Sequence, residues 1–263
     1  MAEHYENLTV DRDGHVAVVT FNRPTRANAL DHAHLVDIEA AALSFREDTE
    51  TRAIVFTGAG KHFSSGHDLN STPPAEGGLV GRRRTARMGE RAVQALQDID
   101  QITIAAWNGA AMGGGACLVT ALDLRIGADD CFMQYPEIDI GVNLMWKSLP
   151  LITHIAGPSR AKRLVVGGER THAETLLAWG VLDELVPRPQ LLDRALEVAA
   201  FYAAKPPIAA QMIKRSVNAI VSSLDTAVMH MDVDQNLLTA MTEDRRAAIQ
   251  AYLEKTTPTF TGN

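Results

Sequence analysis

The short apolar run "RAIVFTGAG" (residues 52–60) constrains this chain more than any other feature. Its central residues are apolar without alternation, so a strand built from them has to be buried on both faces. Such a strand sits inside a sheet covered by helices, and the neighbouring sequence supplies both. Upstream, "ENLTVDRDGHVAVVTFNRP" (6–24) reads as two strands turning at Asp13-Gly14 and ended by Pro24. Asp31 caps a helix through "HAHLVDIEAAALSFRED", with apolar Leu35, Ile38, Ala42 and Phe45. A second cycle follows: a helix around Met88–Ile99, a strand at "QITIAAWNG" (101–109), three consecutive glycines, then a short helix and two short strands within 117–141. This alternation implies an α/β chain with a parallel sheet. Residues 61–84 read as one long loop, a length that is uncommon unless the loop has a function. Beyond about residue 145 strand signals fade, and the helical remainder is broken at Pro206-Pro207. The expected division is an α/β core over 1–195 and a helical region over 196–263.

Composition removes several functions. Acidic residues outnumber basic ones by 32 to 25 and leave a net charge of −7, which argues against a nucleic-acid partner. Cys117 and Cys131 cannot form a disulfide framework, which fits a reducing, cytoplasmic setting. The polar N-terminus carries no secretion signal, and no apolar run approaches the roughly 20 residues of a membrane span. His32 and His34, or His62 and His67, lack the acidic or cysteine partners of a metal site, so no metal is expected.

Three glycines in "AMGGGACL" (111–118) need a reason, because each weakens a helix or strand interior. The segment lacks the Lys-Ser/Thr of a phosphate-binding loop and the spacing of a dinucleotide fingerprint. Close packing of a helix on a strand is one explanation. An oxyanion hole is another, with Gly114 giving one backbone N–H and His67, in "FSSGHDL" (63–69), giving the second.

At these residues the chain resembles the crotonase (enoyl-CoA hydratase/isomerase) superfamily. "TFNRPTRANAL" (20–30) is similar to the segment through which that family admits coenzyme A, and "FSSGHDL" to its first oxyanion segment. Residues 107–142, from "WNGAAMGGGACL" to "YPEIDIGV", resemble its second oxyanion segment and catalytic strand, and "GERTHAETLLAWGVLDELV" (168–186) the close of its core. The resemblance implies a spiral of ββα units followed by a helical C-terminal region that closes the pocket and joins subunits into trimers or pairs of trimers. It also implies an acyl-CoA thioester substrate, with coenzyme A as part of the substrate and no bound cofactor. His67 and Gly114 would hold the thioester oxygen, Gly114 being bare so that the thioester can approach. Arg26, Ala27, Asn28, Ser65, Gly66, Asp68, Leu69 and Gly113 would contact the acyl-CoA.

Hydratases of that family place two glutamates around one water. The second position is Glu137 here, whereas the first is Cys117. One carboxylate suffices to move a double bond but not to share out the tasks of hydration, so isomerisation is expected to exceed hydration. A reactive Cys117 thiol at the helix start, a non-catalytic acyl-CoA binder, a thioester hydrolase and a decarboxylase are the alternatives. Arg82, Arg83 and Arg84, with Arg87 and Arg91, are either a solvated helix start or a contact for coenzyme A phosphates. Trp107 and Trp146 are expected to be wall.

Overall fold

The computed structural model describes residues 5–68, 71 and 78–263. Strands β1 (Leu8–Asp13) and β2 (Val16–Phe21) form the expected antiparallel hairpin. Helix α1 (His32–Ser44) starts where expected, the Asp31 carboxylate accepting the His34 N–H. Strand β3 (Ala53–Gly58) is followed by α2 (Gly78–Ala86) and α3 (Met88–Gln97), then by β4 (Ile102–Trp107), β5 (Ala110–Met112) and α4 (Gly114–Thr120). Next come β6 (Leu124–Ala128), β7 (Phe132–Gln134), α5 (Ser148–Ala156), α6 (Pro158–Val165), β8 (Thr171–His172), α7 (Ala173–Ala178) and β9 (Glu184–Val186). Five helices end the chain: α8 (Leu191–Ala203), α9 (Pro207–Val221), α10 (Asp225–Met229), α11 (Asp232–Thr239) and α12 (Glu243–Glu254).

The main sheet runs β1-β2-β3-β4-β6-β9, parallel from β2 onward, and β5-β7-β8 form a second, smaller sheet. Burial on both faces of β3 is explained by its two neighbours. Ile54 and Phe56 point into the larger core with α1, α3 and α4, while Ala53 and Val55 meet the stripe Leu191, Ala195, Ala199 and Ala203 of α8. That four-residue spacing lines one helix face with small side chains, so α8 lies close on the sheet. A division at 195 therefore falls inside a helix that belongs to the core; α8 ends at Ala203. The long loop read over 61–84 is also corrected, since α2 occupies its end. None of the α2 residues is buried, so no apolar periodicity announced it.

Helices α11 and α12 fold back over the segment that follows Glu137. Asn236 Nδ2 donates to the Asn143 carbonyl at 3.3 Å, and Arg245 on α12 lies against Gly141. No helix among the described residues is long and apolar enough to cross a membrane.

Candidate active site

Three segments remote in sequence are laced together by backbone hydrogen bonds. The Ser65 N–H donates to the Ala27 carbonyl (2.9 Å), Leu30 N–H to Gly66 (2.8 Å) and Asp68 N–H to Leu30 (3.0 Å). On the other edge, Ser64 N–H donates to Ala110 and Met112 N–H to Ser64, both at 3.0 Å. The lacing leaves the N–H groups of His67 and Gly114 without a protein acceptor among the described residues. Gly114 opens α4, where first-turn N–H groups have no partner within the helix. The two turns touch. Gly66 takes φ +85°, and a Cβ there would overlap the Met112 carbonyl oxygen and stand 3.3 Å from the Gly114 nitrogen.

Glu137 leads a short 3-10 turn, Ile138–Ile140, after β7. Its Oε1 lies over Gly113, 2.8 Å from where a Cβ would sit, and its Oε2 is shut off from solvent without a partner. Burial pushes its pKa from 4.5 up to about 7; its own backbone N–H opposes the shift and the nearby Asp139 charge adds to it. Glu137 thus holds an unpartnered, buried carboxylate oxygen next to the turn that carries the free Gly114 N–H, a combination that stands out among buried polar groups.

Cys117 is one turn into α4, its N–H donating to Gly113 at 3.0 Å, and it is fully buried. Burial, and then the Glu137 charge, push its thiol well above the ordinary range, with a Ser148 hydrogen bond opposing. The helix start does not win, so the reactive-thiolate alternative is corrected: Cys117 stays a neutral thiol.

The remaining predicted residues divide. Arg26 is exposed at the end of the 3-10 turn Pro24–Arg26, and Ala27, Ser65 and Gly113 lie along the laced backbone. Asn28 is not free for a ligand. At 0% exposure its Oδ1 accepts the Arg23 N–H, while its Nδ2 donates to the Ala59 and His62 carbonyls at 3.0 and 2.7 Å. Asp68 faces Arg23 (3.4 Å), which also pairs with Asp31 at 2.8 Å. Leu69 lies outside the described residues. Of the arginines, Arg83 pairs with Asp234, Arg87 with Glu90 and Arg91 with Glu39. Asn28→Ala should cost about 3 kcal/mol of stability by stranding three backbone groups, read by denaturant unfolding; an unchanged midpoint would show that this staple is dispensable.

Gly114 is bare for a packing reason. A Cβ there would overlap Trp146 Cζ3 and stand 3.1 Å from Leu30 Cδ1. Besides the clearance expected for a thioester, the missing side chain seats an indole, which is the close-packing reading of the glycine run. Gly89 on α3 makes room for the same indole at its ring-fusion atoms Cε2 and Cδ2.

The sequence profile of the enoyl-CoA hydratase/isomerase family matches residues 11–263. This chain belongs to that family. It is 31% identical over 259 residues to a 2,3-dehydroadipyl-CoA hydratase of Escherichia coli, covering 97% of this chain and 98% of the relative. It is 28% identical over 251 residues to a short-chain-enoyl-CoA hydratase of Clostridium acetobutylicum, covering 95% of each. The crystal structure of an enoyl-CoA hydratase from Mycobacterium avium subsp. paratuberculosis superposes with a TM-score of 0.86 at 24% identity, covering 98% of this chain and all of the other, which establishes the shared fold. The ββα spiral is thus the crotonase fold, and the chain is an enzyme of the hydratase/isomerase family, whose members act on acyl-CoA thioesters.

Proposed function

We propose that this enzyme works on acyl-CoA thioesters through an enolate, with Glu137 as its single acid/base group, and isomerises 3-enoyl to 2-enoyl esters better than it hydrates 2-enoyl esters. One observation carries the reading: a buried Glu137 titrating near neutrality stands by two unpaired N–H groups, while position 117 holds a neutral thiol. The His67 and Gly114 N–H groups would donate hydrogen bonds to the thioester oxygen and stabilise the charge that develops there. Glu137 in its ionised form would take a proton from C2; the electron pair moves into the enolate, the double bond shifts, and Glu137 returns the proton at C4. The substrate brings coenzyme A, and this route uses no further cofactor. Exposed Arg26 would meet the nucleotide end, while Ala27, Ser65, Gly66 and Gly113, with backbone groups engaged in the lacing, would line the thioester by shape rather than by new hydrogen bonds.

Hydration is the second reading, favoured by relatives named as hydratases. A panel of 2-enoyl-, 3-enoyl- and 3-hydroxyacyl-CoAs, with products identified by mass and absorbance, separates the readings. Free thiol release would mark a hydrolase, and tight binding without turnover a binder.

Assembly through the C-terminal helices belongs to the same proposal. Ile208, Ile220, Leu224, Met241 and Leu253 on or beside α9, α10 and α12 are all more than 70% exposed, an apolar surface costly to leave in water. Light scattering at micromolar concentration should give a trimer or hexamer; a clean monomer would refute it.

A further inference from the structure

The Trp146 indole stands in a slot cut by two glycines on different helices. A Cβ at Gly89 on α3 would overlap its Cε2 and Cδ2, and one at Gly114 on α4 would overlap its Cζ3. The ring is nearly buried, at 5% exposure. Its edge therefore lies flush against the α-carbon of the residue whose N–H faces the thioester oxygen.

The backbone beneath it is held in an uncommon conformation. Trp146 (φ 67°) and Lys147 (φ 55°) are consecutive non-glycine residues in the left-handed region. Each disfavours that region, and such pairs persist only where the surroundings over-determine them. Here the surroundings are polar and buried. The Lys147 N–H donates to Asp232 Oδ2 on α11 at 2.7 Å, Lys147 Nζ pairs with Glu90 Oε1 on α3 at 3.0 Å, and Ser148 Oγ donates to the Trp146 carbonyl at 3.2 Å. Asp232 and Glu90 are both buried. The C-terminal region thus reaches back through Asp232 to fix one aromatic ring beside the oxyanion site.

Gly114 and Cys117 share one face of α4, three residues apart. That face looks onto 146–148, since Trp146 covers Gly114 and Ser148 stands near Cys117. Acyl carbons that continued past the thioester along this face would meet the indole.

We propose that Trp146 is the specificity-determining residue of this enzyme, closing the acyl end of the site so that short acyl-CoA esters are accepted and longer ones refused. The inference rests on the acyl-CoA reading above, and it does not depend on which reaction follows. Two helices give up side chains at this one ring, which also belongs to the hydrophobic core.

The test uses binding of unreactive saturated esters, so that catalysis does not enter. Calorimetry compares coenzyme A, butyryl-, hexanoyl-, octanoyl- and decanoyl-CoA on the parent, Trp146→Ala and Trp146→Phe. The parent should bind butyryl-CoA more tightly than coenzyme A and gain nothing from longer chains. Trp146→Ala should favour octanoyl- over butyryl-CoA by about 60-fold, from roughly three newly admitted methylenes at about fourfold each. Trp146→Phe, which keeps an aromatic ring and protects the fold, should show the same preference at about fourfold. Chain-length profiles parallel to the parent in either folded variant would overturn the assignment of Trp146. A parent that binds every ester no better than coenzyme A would instead overturn the acyl-CoA reading on which it rests.

Discussion

Glu137→Gln is expected to lower 3-enoyl to 2-enoyl isomerisation by about 10²–10⁴-fold, the usual worth of one positioned acid/base group. Glutamine keeps the shape over Gly113 and removes only the proton exchange. The parent's kcat/KM should rise with pH through about 7 and then level, because the ionised carboxylate must be present to take the proton and burial has pushed its pKa up to about 7. A profile already flat from about pH 5 would place the base elsewhere. Stability has the opposite sign. A carboxyl whose pKa is raised by folding favours the folded state while protonated, and that contribution is lost as pH rises through the folded value. Glu137→Gln should therefore lose less stability than the parent between about pH 5 and pH 8, as denaturant midpoints would show.

Removing the Gly114 donor should cost about 10²–10³-fold, the usual loss for one oxyanion N–H. The direct experiment, Gly114→Pro, is compromised by the indole that a Cβ would strike. In a Trp146→Ala background the ring is gone, and the next atom that the added Cβ meets is the Leu30 methyl at 3.1 Å, which has to give. Proline is tolerated at the first position of a helix and has no N–H, so the double variant deletes the donor with little other change. Its turnover should fall by that factor relative to Trp146→Ala, with coenzyme A binding kept. Turnover equal to that of Trp146→Ala would mean that the Gly114 N–H takes no part.

How far the sequence reaches is visible in particular elements. The β1-β2 hairpin, the Asp31 cap and the buried β3 strand are written in local patterns, and each lies where those patterns put it. The turns around His67 and Gly114 stand out in the sequence by their glycines; in the structure His67 lies at an isolated bridge to Leu30 and Gly114 opens α4, and neither N–H has an acceptor among the described residues. What escaped is long-range. Asn28 reads as a polar residue near a ligand; only its buried partners at Ala59 and His62, more than thirty residues on, make it a staple. Gly89 inside a helix and Trp146 before another have no local pattern linking them, yet the indole packs directly on the glycine. Helix α2 has no apolar face to read, and β5, β7 and β8 are two or three residues long, too short for a period to show.

The central claim, one carboxylate where hydration divides its work between two, is tested most directly by measuring both reactions on the same preparation. Hexenoyl-CoA with its double bond at position 3 reports isomerisation, and crotonyl-CoA reports hydration. With Glu137 alone beside the His67 and Gly114 N–H groups, and a neutral Cys117 one turn along α4, kcat/KM for isomerisation should exceed that for hydration by about tenfold or more. Both should collapse in Glu137→Gln. Efficient hydration by the parent that survives Glu137→Gln would contradict the account.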